Sequence, residues 1–192
     1  MPDPRPEVLE FLLTRRSRPA KTLAAPAPDE AGLEPILRAG LRVPDHGKLE
    51  PWRLVVIGGT APARLGEIAL RRGLEAGMEP ERAEKAAMMF IGAPLIVAVV
   101  ASPVASDKIP AREQFLSAGA VCLSLVNAAL AAGWGASWLT GWTATDAGFL
   151  EEALALAPHE EVAGYVVIGT ETAAPPERPR PDMAARIRRI DA

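Results

Sequence analysis

The chain has 192 residues, of which 49% are hydrophobic and 23% charged, a length and balance suited to one globular domain (1–192). Acidic residues number 24 against 21 basic ones, a formal net charge of −3 that argues against the broad basic face of a nucleic-acid binder. Cys122 is the single cysteine, so an internal disulfide is excluded, and with only His46 and His159 the spacings of a Cys/His metal centre are absent.

In chain order, Val8, Leu9, Leu12 and Leu13 share one side of a helix predicted over 7–14, stopped by Pro19. The opening residues MPDPRPE lack the basic-then-apolar order of a signal peptide, and a cytoplasmic protein is expected. Residues 21–28 read as an Ala/Pro linker. Asp29 is placed as the N-cap of a second helix, whose stripe is Leu33, Ile36, Leu37 and Leu41. Pro51-Trp52 opens a strand over 53–57, closed by Gly58-Gly59. A charged helical stretch follows over 61–89, broken near Gly77 and Pro80. Residues 94–101 (PLIVAVVA) form a continuous apolar run of strand length, as expected of a strand covered on both faces. A long helix is predicted over 109–132, then a strand at 134–139, a short helix at 146–156 and a last core strand at 162–168. The tail from Glu171 is rich in Pro and Arg and is expected on the surface. The alternation of strands and helices predicts an α/β protein with helices on both faces of its sheet.

The long helix carries an uncharged run over 115–132, but Ser117, Ser124 and Asn127 interrupt it and no Lys/Arg cluster flanks it, so it reads as a buried helix and not a membrane span. Ser117, Val121, Ser124, Ala128 and Ala131 share one face, and Leu116, Leu123 and Leu130 another. The first is small enough for close backbone approach; the second is large enough to fill a core.

Of the familiar nucleophile elbows and phosphate loops the sequence has none, which points to a binding protein or to chemistry borrowed from a cofactor. Cys122, in an apolar run, reads as a buried inert thiol. Arg15-Arg16-Ser17 offers guanidinium and hydroxyl donors suited to a phosphate, although basic residues also favour helix C-termini for their own sake. The loop from Arg42 to Arg53 (RVPDHGKLEPWR) concentrates Arg, Asp, His and Lys between a helix and a strand, where binding residues gather.

Four segments in order resemble the nitroreductase family, in its short single-domain form. They are Arg15-Arg16-Ser17; VPDHGKLEPWR; Lys108-Ile109-Pro110 with Glu113-Gln114 and Ser117-Ala118-Gly119; and Gly133-Trp134-Gly135-Ala136-Ser137-Trp138-Leu139-Thr140-Gly141. The resemblance implies a mixed α/β three-layer sandwich and a homodimer with a long central helix, FMN being bound between subunits. By the same resemblance, Arg15, Arg16 and Ser17 hold the FMN phosphate and ribityl chain, joined by Arg180 and then Arg178 of the tail, which reaches a partner subunit. Arg42, His46 and Lys48 lie along the flavin; Trp138, Leu139 and Thr140 pass its ring. Ala128, Ala129, Leu130, Ala131, Ala132 and Gly133 lie where NADH or NADPH docks, and the small-residue face of the long helix is the dimer contact. The implied activity is NAD(P)H-driven reduction of nitroaromatics, quinones or related acceptors by a ping-pong route, with no metal, nucleic acid or membrane involved. Alternatives are a flavin-storing or partner-binding module, or a dehydrogenase or dehalogenase on the same fold. Lys48 stands where the family's Asn is common and Glu50 where its Gln is, with Glu50 free to pair with Lys48 or Arg53.

Overall fold

A computed structural model describes residues 3–190. The elements run α1 (Pro6–Thr14), β1 (Leu23–Ala24), α2 (Glu30–Gly40), β2 (Trp52–Ile57), α3 (Ala61–Glu75), α4 (Pro80–Ile91), β3 (Leu95–Ala101), α5 (Ala111–Ala131), β4 (Gly135–Leu139), α6 (Ala147–Leu154), β5 (Glu161–Glu171) and α7 (Met183–Arg186). Caps set several of these bounds. The Asp29 carboxylate accepts from the Gly32 amide at 2.9 Å, and that of Asp146 from Phe149 at 2.7 Å. Gly77 takes φ +74° between α3 and α4, where the left-handed turn suits a residue without Cβ, and Pro80 opens the next helix.

Every residue of β3 is buried. It lies between β2 and β5, antiparallel to both, while β4 and β1 also pair antiparallel with β5. Alternation along β3 then splits the core in two. Ile96, Ala98 and Val100 join Leu65, Phe90, Phe149 and Tyr165 under α3, α4 and α6. Leu95, Val97 and Val99 join Ile36, Val121, Cys122 and Leu125 under α2 and α5. The result is the expected three-layer sandwich.

Two readings need correction. The segment 21–28 is not all linker: Leu23 and Ala24 form β1 against Glu171 and Thr170, because β5 runs past 168 to Glu171. Two residues are too few to show a period of two. The core face of α5 is also not the one expected: it is Ala118, Val121, Cys122, Leu125 and Ala129, with the small-residue face at its flank, where Ser124 and Ala128 are half-buried and Ala131 exposed. On the small-residue face, Ser117 and Val121 are buried within the same chain, and Ser124 Oγ donates to the Ala39 carbonyl at 3.0 Å, because α2 packs there. Gly40 permits that approach, since a Cβ on it would collide with Leu125. Leu116 and Leu123, cast as core, are 63% and 47% exposed, and Leu130 is half-buried. Length and apolar composition would let α5 cross a membrane, yet much of it packs under the sheet.

Cys122 is fully buried, which pushes its thiol up to about 12, in keeping with an inert role. At the edge of the sheet, the Arg53 guanidinium pairs through two 2.7 Å bonds with Glu160. That pairing, helped by the Ala157 amide, lowers the Glu160 carboxyl to about 2. A carboxyl held below its unfolded value near 4.5 stabilises the fold above that pH and loses the contribution as pH falls towards about 2. Glu160→Gln should therefore lower stability at pH 7 by roughly 1.5–3 kcal/mol. In denaturant titrations the gap to wild type should close as pH falls below 4.5. A gap independent of pH would show that the ion pair is not its source.

Candidate functional site

After α1 the chain turns towards the sheet through Arg15–Pro19. The Arg18 amide donates to the Ala136 carbonyl of β4 at 2.8 Å, and its guanidinium pairs with Glu171 of β5 at 3.2 Å. These contacts fix the turn against the end of the sheet. Within it, Arg15 Nη2 donates to Ser17 Oγ at 3.1 Å, and Arg16 Nη1 donates to the Pro176 carbonyl of the tail. Between Pro176 and Arg180 the tail thus lies against its own chain's turn, with Arg180 paired to Glu177 at 3.2 Å. Arg178 is exposed. The Nε of Arg15 is buried with no partner, and burial followed by the charges of Arg180 and Arg18 lowers its pKa. The guanidinium groups of Arg18 and Arg180 therefore lie near a donor of Arg15 that lacks an acceptor, an arrangement suited to an anion with several oxygens.

The second cluster is the loop before β2. Asp45 organises it: Oδ1 accepts from the Leu49 amide at 3.2 Å and Oδ2 from the Glu50 amide at 2.8 Å. Gly47, Lys48 and Glu50 all take positive φ, of +76°, +55° and +47°. Left-handed backbone at Lys48 and Glu50 is uncommon for such residues, and the Asp45 bonds hold it. Ser117 of α5 ties the loop to the core, donating to the Pro44 carbonyl at 2.7 Å and accepting from Trp52 Nε1 at 3.0 Å. His46 Nδ1 bonds Glu113 Oε2 at 2.8 Å. Arg42, His46, Lys48 and Glu50 are exposed. The pairing of Glu50 with Arg53 does not form, because Glu160 takes the Arg53 guanidinium, and among the described residues Lys48 makes no ion pair.

One chain does not bring these clusters together. The arginine turn sits beside Glu171, and the loop beside Trp52, which faces Ala101 and, through it, Glu161. Between them lies the whole of β5, 11 residues or about 33 Å of extended chain.

The remaining candidates lie on β4 and the end of α5. Trp138 lies against Gly164, where a Cβ would collide with its ring, and its Nε1 donates to the Ala163 carbonyl at 3.3 Å. Leu139 and Thr140 line a cleft of about 330 Å3 that is closed on its other side by Arg82, Lys85 and Met89 of α4. At the end of α5, Ala131, Ala132 and Gly133 are exposed, and Ala128 and Leu130 half-buried. Ala129 is fully buried in the α2–α5 core, so its methyl is withdrawn from any ligand. Sequence reasoning gave no role to Asp45, Arg82 or Lys85, and Glu113 entered only as part of a motif. The spacing of Asp45 to two amides four and five residues on was a usable signal; Lys85 offered none.

Asp45→Ala should release the left-handed loop. Hydrogen exchange at the Leu49 and Glu50 amides should then quicken by about tenfold or more. Unchanged exchange there would mean that the backbone conformation stands without the carboxylate.

The profile of the Nitroreductase family matches residues 12–170. A protein of Escherichia coli (strain K12) named "Putative NAD(P)H nitroreductase YdjA" is 36% identical over 164 residues, covering 85% of this chain and 88% of its own. A Haemophilus influenzae protein named "Putative NAD(P)H nitroreductase" is 36% identical over 167 residues, with the same two coverages. Among solved structures, a nitroreductase-like family protein from Bacillus cereus superposes with a TM-score of 0.82 at 20% identity, each chain covered completely. A Bacteroides fragilis nitroreductase with bound FMN superposes at a TM-score of 0.73 and 20% identity, covering 96% of this chain and 99% of its own. The match over most of the chain, the close sequence relatives and the shared fold lead to one conclusion: the chain belongs to the Nitroreductase family.

Proposed function

We propose that the protein is an FMN-dependent NAD(P)H oxidoreductase that reduces nitroaromatics, quinones or related organic acceptors, and that it works as a cytoplasmic homodimer. The observation that carries this reading is the arginine turn. Arg15 keeps a buried Nε without an acceptor beside Arg18 and Arg180, and a phosphate dianion would fill that need. The residues present fit FMN: Arg15, Arg16, Ser17 and Arg180, with Arg178 behind, hold the phosphate and ribityl chain, and Arg42, His46 and Lys48 lie along the flavin. When bound, the flavin supplies reversible hydride chemistry that no side chain here provides.

The chain's own residues position and bias that chemistry. Trp138, Leu139 and Thr140 flank the ring, and the end of α5, Ala131 to Gly133 with Ala128 and Leu130 behind, receives the nicotinamide nucleotide. Nucleotide and acceptor then use one open face in turn, a ping-pong order. Lys48 sets a cation, unpaired among the described residues, at the flavin edge, where it lowers the energy of added negative charge.

The distance between the clusters supports the dimer. With the arginine turn and the loop at opposite ends of β5, a site that uses both takes the turn from one subunit and the loop from the other. An apolar surface is present to join them. Val8, Leu9, Leu12 and Leu13 of α1 are 48–66% exposed, no residue of α1 is buried, and Leu116 and Leu123 stand out from α5. A nine-residue helix with its apolar stripe in water has little to stabilise it alone.

Heat-released flavin should be FMN, and Arg15→Ala should weaken FMN binding by about 10- to 100-fold while leaving the reduction potential of bound flavin close to wild type. Release of FAD, or a colourless protein that FMN does not reconstitute, would overturn the cofactor. In sedimentation velocity, Leu116→Glu with Leu123→Glu should give folded monomers that have lost FMN. A wild-type monomer that retains FMN on dilution would overturn the shared site.

A further inference from the structure

The cleft between β4 and α4 has features that FMN binding does not use. Its floor is apolar, with Met89 and Ala86 on one side and Leu139 and Trp142 on the other. Its rim carries two cations, Arg82 and Lys85, three residues apart on one helix. Among the described residues neither has a carboxylate partner, whereas on the adjoining α3 Arg71 is paired with Glu75 and Glu152, and Arg72 with Asp146. Like charges at that spacing repel and are more stable with an anion between them. Lys85 and Met89 also wall an adjoining cleft of about 400 Å3 that reaches Lys21, which extends the positive rim. Behind the floor, Trp142 Nε1 and Thr143 Oγ1 are buried without partners, and Thr143 is only 1% exposed. Orphaned polar groups of this kind are rare in a finished interior. The volume, about 330 Å3, lies at the small end of ligand pockets, which run from about 300 to 1,000 Å3 and take one substituted ring more readily than a dinucleotide.

We infer that this cleft is the subsite for an acidic aromatic acceptor: the ring rests between Met89 and Trp142, and its carboxylate meets Arg82 and Lys85. The inference rests on the proposed function, which places Leu139 and Thr140 beside the flavin, and it names the class of acceptor as aromatic acids bearing a nitro or quinone group. Charge complementarity selects that occupant over a neutral ring, since a carboxylate gains charge-assisted bonds that an amide of the same shape does not.

The test compares 4-nitrobenzoate with 4-nitrobenzamide on the purified holoenzyme, by quenching of tryptophan fluorescence and by KM. Wild type should bind the carboxylate about tenfold more tightly than the amide, a preference of about 1.4 kcal/mol. In Arg82→Gln with Lys85→Gln the ratio should fall to near one. Gly141, also on the cleft wall, has extended backbone and nothing within 4 Å of a Cβ, so Gly141→Leu should fold normally and weaken both ligands by filling the space. Equal binding of the two ligands by wild type would overturn the proposal. So would a double variant that keeps the carboxylate preference but raises KM for NADPH relative to NADH, which would assign the cations to a nucleotide phosphate. Heat-released FMN, measured on the same samples, reports the underlying cofactor reading separately, because its loss from wild type would remove that reading while equal ligand affinities in an FMN-replete protein remove only this one.

Discussion

Two-sided burial of β3 governs the architecture. A strand apolar at every position cannot leave either face in water, so helices must cover both, and its backbone groups must find ladders on both edges. β2 and β5 supply the ladders, α2 and α5 one cover, and α3, α4 and α6 the other. The lengths then match. The 21 residues of α5 extend about 30 Å, nearly the reach of β5, so the start of α5 lies by the loop and its end by the arginine turn. Where the candidate clusters stand is thus a consequence of how the core closes.

Polar contacts complete what the core begins. Backbone bonding of Arg18 to Ala136 and the relay Trp52–Ser117–Pro44 attach each cluster to a rigid element. The arrangement of charge is also selective. Arg18, Arg38, Arg53, Arg71, Arg72 and Arg180 each have a carboxylate partner. Arg15, Arg82 and Lys85 are among those with none in the described residues, and each stands beside a recess or a buried unpartnered atom.

Much of this was legible in the sequence, for reasons that differ by element. The run LIVAVVA declared a strand buried on both sides, and Asp29 and Asp146 announced their helices, because those signals are local. The arginine turn and the RVPDHGKLEPWR loop stood out because polar donors were dense between core elements. What escaped depends on contacts distant in sequence. β1 exists only because the far end of β5 pairs with it. Gly40 of α2, lacking a Cβ, admits Leu125 of α5 at a close approach that no periodicity in α5 encodes. Glu160 claimed Arg53 across 107 positions, which left Glu50 without that partner. Arg82 and Lys85 acquire a meaning only when α4 is laid against the end of β4.

The shared site proposed from the separation of the two clusters along β5 has a thermodynamic corollary. A cofactor seated across two chains stabilises the assembled state alone, so its binding and subunit association are linked, each strengthening the other by the same factor. Dilution then acts as a cofactor-releasing agent, and scarcity of the cofactor acts as a dissociating one. Measured affinity for flavin would carry the protein concentration within it, and the exposed leucines of α1 and α5 would meet water for longest in cells short of flavin.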